Sequence, residues 1–137
     1  MPVITLPAGL DQLAIVNTFI AEHLPDGHKN ILLQVELAVE ELLVNVFQHA
    51  YKEMQGTADV GCRIVNLDDK PHFCVMVRDF GEQFDPFKEV PAPDTTLPLE
   101  ERNPGGLGVH LVKHVAAHYC YSGSDASNTI ELYFSLE

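Results

Sequence analysis

Basic residues are scarce in this chain. Eight Lys and Arg stand against twenty Asp and Glu, the formal charge is −12, and the basic residues nowhere cluster. Direct binding to a nucleic-acid backbone, which rests on phosphate neutralisation, is therefore not expected, although an acidic body can still attract a basic protein partner. Long apolar runs are also missing: none approaches the roughly 18 residues of a membrane span. The N-terminus MPVITLPAG lacks the charged-then-apolar layout of a secretory leader. The expectation is a cytoplasmic protein with no membrane and no nucleic-acid partner. Cysteines are few, and Cys62, Cys74 and Cys120 are odd in number, far apart and set in apolar segments. Buried thiols are expected rather than a disulfide framework. What is present, 137 residues with 46% hydrophobic and 20% charged, suits one domain over 1–137 with room for one core.

A short strand at Val3 to Leu6 is followed by apolar spacing that predicts a helix to about His23, broken by Pro25, Asp26 and Gly27. A long helical pattern then runs from about His28 to Glu53. Residues 58 to 66 and 72 to 78 alternate in the manner of two strands, and the five residues Leu67 to Pro71 between them predict a hairpin. From Pro86 to Pro104 no period is sustained, and a loop of that length in a small domain is often functional. A helix from Gly106 to Ala117 and strands at Tyr119 to Ser122 and Thr129 to Leu136 complete the chain, with Ile130, Leu132, Phe134 and Leu136 on one face of the last strand. Helices on one side of a mixed, mostly antiparallel sheet make an α/β two-layer sandwich.

Three segments carry chemistry. In the long helix, Val35, Val39, Leu42, Val46 and Ala50 form one apolar stripe, and Leu37, Val44, Phe47 and Tyr51 form a second. The second stripe is compatible with a homodimer and equally with internal packing. Between the stripes lie Glu41, Asn45 and Gln48, bordered by His49. Glu41 and Asn45 are one turn apart on one face: a carboxamide oxygen suits Mg²⁺ and a carboxylate can deprotonate a hydroxyl, or the two form a solvated pair. In VRDFGEQFDPF, residues 77 to 87, Asp79 ends a strand. It can accept an N–H from a ligand, with Gly81 permitting close approach, or it can simply cap the turn. In NPGGLGVHLVKHVA, residues 103 to 116, three glycines open a helix whose free N–H groups attract phosphate; close helix packing is the other reading. The segment is neither a P-loop nor a Rossmann turn. Asp79-Phe80-Gly81 also spells a protein-kinase motif, but the Gly-rich loop, strand lysine and His-Arg-Asp loop of those kinases are absent.

In this order the segments resemble the N, G1 and G2 boxes of the GHKL, or histidine-kinase-like, ATPase superfamily, across nearly the whole chain. QHAY after the Asn, FDPF after the Asp-x-Gly and PLEERNPGGLGVHLVK resemble the anti-sigma-factor serine/threonine kinases of bacterial partner-switching systems. The resemblance implies a Bergerat fold, ATP and Mg²⁺ as cofactors, and kinase activity toward an anti-anti-sigma, STAS-type protein with a sigma factor as second partner. It makes Glu41 the catalytic base, Asn45 the magnesium ligand and Asp79 the acceptor for the adenine amino group, beside Gly81. Gly105, Gly106 and Gly108 would shape the phosphate site, residues 88 to 104 would form the lid, and His49, Phe84, Leu107 and Lys113 would belong to the nucleotide site. One departure stands out: Gln83 replaces the usual glycine two residues beyond Gly81. The alternative implied is a non-catalytic Mg-ATP-binding module that sequesters a protein partner.

Lys113 could instead favour its helix's C-terminal half, and Glu100, Glu101 and Arg102 read as lid surface, with Arg102 also able to meet a phosphate or partner. His110, His114 and His118, spaced four apart, would form a ladder on the last helix; two such imidazoles can bind Zn²⁺, but no acidic third ligand is recognisable nearby.

Overall fold

The computed structural model describes residues 1–49, 56–89, 106–124 and 126–137, with side chains 48, 49, 89, 106 and 107 outside that description. The elements follow as β1 (Val3–Pro7), α1 (Leu13–His23), α2 (Leu32–His49), β2 (Thr57–Leu67), β3 (Lys70–Asp79), α3 (Pro86–Glu89), α4 (Gly106–Val115), β4 (His118–Gly123) and β5 (Asn128–Ser135). The strands form one five-stranded sheet in the order β1-β2-β3-β5-β4, and every pairing in it is antiparallel.

Alternation along the three central strands builds the core. Register aligns Val60, Val77 and Ile130 in one row, Cys62, Val75 and Leu132 in the next, and Ile64, Phe73 and Phe134 in a third. All are buried except Ile64, which is 52% exposed at the end of its row. Val16 and Ile20 of α1, Val35, Val39 and Leu42 of α2 and Val112 of α4 join them in one cluster. Each such burial is worth about 1.5–3 kcal/mol. That decides which stripe of α2 faces the sheet: Val35, Val39, Leu42 and Val46 are buried, whereas Leu37 is 40% exposed and Val44 and Phe47 are half-buried. Ala50 and Tyr51 lie outside the described residues.

The structure corrects several boundaries. The long helix starts at Leu32 rather than His28, because a 3-10 segment, Asp26–Ile31, precedes it and His28 has non-helical dihedrals; its expected end near Glu53 lies outside the described residues. The loop expected between β2 and β3 shrinks to two residues, with pairing continuing to Leu67 and Lys70. Asp68 and Asp69 turn with φ of 52° and 63°, the left-handed pair that matches strand twist in a two-residue hairpin. A short helix, α3, forms where no period was visible. On the sheet's outer face Cys74 and Met76 are buried, and the ion pair between Arg63 and Glu131 at 2.8 Å lies beside Cys74, whose thiol reaches the same carboxylate at 3.5 Å. Burial pushes the thiols of Cys62 and Cys74 up to about 12 and about 11, which suits inert core residues. Cys120 departs from expectation: it is exposed, on the edge strand β4.

Asp69 occupies left-handed space that costs an ordinary L-residue about 1–2 kcal/mol. Asp69→Gly is expected to stabilise the fold by up to about 1 kcal/mol, read as a higher urea midpoint at unchanged slope, and Asp69→Val to lower that midpoint.

Candidate functional site

Where α2 crosses the ends of β3 and β5, a narrow cleft opens. Leu42, Asn45 and Val46 supply the helix side, Asp79, Asn128 and Ile130 the sheet side, and Phe84 and Pro86 the rim. Most of the lining is apolar, with three polar side chains converging on it, the usual makeup of a small-molecule site.

Asp79 is 4% exposed. Its Oδ1 accepts the Gly81 N–H at 3.0 Å and the Asn128 amide N–H at 2.9 Å. The turn-capping and ligand-facing readings of this residue thus coexist, because both hydrogen bonds fall on one oxygen and Oδ2 remains as an acceptor. Burial pushes the carboxyl above its usual range, against the opposing pull of the Asn128 and Gly81 bonds.

Asn128, which sequence reasoning passed over, organises this end of the sheet. It sits opposite Asp79 in register and is 2% exposed. Besides Asp79, its Nδ2 donates to the carbonyls of Gly81 at 3.3 Å and Glu82 at 2.8 Å, and its Oδ1 accepts the Phe84 N–H at 3.0 Å and the Tyr121 hydroxyl. One carboxamide therefore holds the loop 81–84 against the strands. A signal for it was available: Asn128 shares the phase of Ile130, Leu132 and Phe134, so a polar residue was bound to point inward.

Asn45 is also buried, at 5% exposure. Of the two readings of this strip, the solvated pair does not hold for Asn45, because the cleft's walls close over it. One turn earlier, Glu41 is half-buried against α4: a Cβ built on Gly108 would lie 3.0 Å from the Glu41 carboxyl carbon and closer still to Oε2. Real Cβ atoms do not approach so near, so Gly108 serves close helix packing and at the same time brings the glycine-rich segment to Glu41. Gly106 opens α4. Gly105, the surroundings of Leu107, the side chain of His49 and most of the expected lid, with Glu100, Glu101 and Arg102, lie outside the described residues.

Lys113, Gln83 and the ladder histidines also find definite places. Lys113 lies in the last turn of α4, where its charge suits the helix C-terminal half, and its Nζ donates to the Phe87 carbonyl at 2.9 Å, which ties α4 to α3. Gln83 is exposed and its amide lies near Gly123 at the end of β4, away from the cleft's lining. The histidine ladder is a pair: His110 and His114 share α4, whereas His118 starts β4 and its ring lies 5.8 Å from that of His72.

The family model described as the histidine kinase-like ATPase domain matches residues 6–134. The chain belongs to that family. ATP is the ligand that membership implies, and the donor set suits it: a buried carboxylate oxygen for an amino group, apolar walls beside it, and a glycine-opened helix for phosphate. Among curated relatives, the chain is 30% identical over 82 residues to the serine-protein kinase RsbW of Bacillus licheniformis, covering 58% of this chain and 50% of that protein. It spans about half the length of that relative. Solved structures share the fold: the blue-light activated histidine kinase of Erythrobacter litoralis EL346, with TM-score 0.55 and 19% identity over 96% of this chain and 42% of that one, and the histidine kinase AdeS of Acinetobacter baumannii, with TM-score 0.51 and 9% identity over 100% and 70%. As in the family's ATPase domain, sheet and helices form an α/β sandwich. No helix among the described residues is long and apolar enough to cross a membrane.

Two stability measurements follow from the geometry. A carboxyl pushed up by the fold contributes stability below its unfolded value of about 3.9 and loses it as pH rises through the folded value. Asp79→Asn removes that loss while its carbonyl still serves both donors, so the variant is expected to fold with a urea midpoint at neutral pH equal to or above wild type. Asn128→Ala strands several buried partners and is expected to cost about 1–3 kcal/mol in the same assay.

Proposed function

We propose that the chain is an anti-sigma regulatory factor with serine/threonine protein kinase activity, one ATP-binding domain that phosphorylates an anti-anti-sigma, STAS-type partner and alternatively holds a sigma factor. The observation that carries the proposal is the convergence of Asp79, Asn45 and the Glu41–Gly108 contact along one helix and the end of one sheet. Similarity to a serine-protein kinase and the cleft's donor set support it.

In this reading Asp79 Oδ2 accepts the adenine amino N–H and Gly81 gives the base room. The apolar walls and Phe84 cover the ring. Gly105, Gly106 and Gly108, with the free N–H groups at the start of α4, receive phosphate oxygens, and His49 and Leu107 complete the nucleotide site. Asn45 would offer a carboxamide oxygen to Mg²⁺, and the ion would supply neutralisation of phosphate charge. Glu41 positions the partner's serine or threonine hydroxyl and receives its proton as the oxygen bonds to the γ-phosphoryl group and ADP departs. Lys113 acts at one remove, by fixing α3 and the cleft's rim to α4. Exposed Leu33 and Leu37 on α2 give a protein partner, or a second copy in a homodimer, an apolar surface. The setting is the cytoplasm, where ATP and sigma factors are found.

Asp79→Asn, already expected to fold, is also expected to lose ATP affinity about ten- to a hundredfold by calorimetry, since one charge-assisted hydrogen bond is worth roughly 1.5–3 kcal/mol. The deciding experiment uses labelled ATP, Mg²⁺ and a cognate STAS-type protein. Wild type is expected to transfer label, and Glu41→Ala to transfer it ~10²–10⁴ times more slowly while still binding ATP and partner. No transfer by wild type at saturating Mg-ATP would leave the non-catalytic, partner-sequestering module; transfer by Glu41→Ala at the wild-type rate would require another base.

A further inference from the structure

On α4 the Nε2 atoms of His110 and His114 stand 3.0 Å apart, with ring centroids 4.4 Å apart and planes at 81°. Both rings turn the same nitrogen toward the other ring. Two nitrogens each about 2.0–2.1 Å from a common ion, at adjacent ligand angles of roughly 90–110°, stand ~2.9–3.4 Å apart, so the spacing already matches a chelate. We propose that His110 and His114 form a surface site for a late first-row divalent cation, Zn²⁺, Ni²⁺ or Cu²⁺, bound through both Nε2 atoms and separate from the nucleotide cleft.

Several observations bear on this. The rings are accessible: His114 is exposed and His110 half-buried, on the side of α4 away from the buried Val109 and Val112. The two Nε2 atoms stand within hydrogen-bond distance, with the donor set by the tautomer. An ion takes the Nε2 lone pairs of both rings in the tautomer that carries its proton on Nδ1. The positive charge nearest in sequence is turned aside, because the Lys113 ammonium is bonded to the Phe87 carbonyl. The chain's net charge of −12 favours cation approach. Imidazole ligands select the late first-row ions over Mg²⁺ and Ca²⁺, which prefer oxygen. Among the described residues no group of three or more His, Cys, Asp or Glu could hold a metal, so the protein supplies two ligands and water the remainder. Such a site is open to exchange and spans one turn of the helix that begins with the glycine-rich segment. Occupancy would clamp α4 at 110–114.

The test uses the untagged full chain. Calorimetric titration with NiCl₂ is expected to show one site that excess Mg²⁺ does not displace, and the Cu²⁺ complex to show two equatorial nitrogens by electron paramagnetic resonance. His110→Ala and His114→Ala, both surface changes, are each expected to lower Ni²⁺ affinity at least ~10-fold, and His118→Ala to bind as wild type. Absence of Ni²⁺, Zn²⁺ and Cu²⁺ binding by wild type would overturn the proposal, as would wild-type affinity in both single variants. Neither result touches the nucleotide reading, which is tested with ATP and Mg²⁺.

Discussion

The side chain of Asn128 is the joint on which the cleft depends. At 2% exposure it has no water to fall back on, so each of its hydrogen bonds must be met by protein. It meets them by gripping the β3 carboxylate on one side and the backbone of the loop 81–84 on the other, with Tyr121 of β4 closing the network. That grip holds the loop beside the strand end, together with the Gly81 N–H on Asp79 and the Lys113 bond to Phe87 just past the rim. The antiparallel register that places Asn128 opposite Asp79 is fixed by the apolar rows farther along the same strands. The core thus sets the site through strand phase.

Asp79 shows the cost of this arrangement. A carboxylate set in an apolar cleft is disfavoured by desolvation, and the two donors on Oδ1 offset only part of it, as the upward shift shows. An amide would suit the folded chain as well or better. A carboxylate there is what a ligand bearing an N–H donor needs, so the residue reads as a site where stability yields to binding.

The elements that could be read from sequence are those whose signal is local. Alternation in 58–66, 72–78 and 129–136 was sufficient for three strands, and the stripe Val35–Val39–Leu42–Val46 for the buried side of α2. Glu41, Asn45 and Asp79 stood out because their chemistry lies within short motifs, and the cleft brings Asn45 and Asp79 together. What escaped depends on partners distant in the chain. Lys113 finds its acceptor 26 residues away at Phe87, and Asn45 is covered by walls from three other segments. The helix start at Leu32 and the two-residue turn at Asp68 and Asp69 escaped for another reason: residues without Gly, at His28 and at the turn, adopt dihedrals that propensity alone would not assign to them.

The contact between Glu41 and Gly108 ties two sequence segments into one packing unit. A hydrogen atom is the largest substituent that position 108 can carry while a full-length carboxylate points at it. Any lineage that gained a side chain at 108 must have shortened or redirected residue 41, or moved α4 away from α2. A side chain at 108 would turn the Glu41 carboxylate to another rotamer, so the bare glycine is what leaves that carboxylate free to sit where it does.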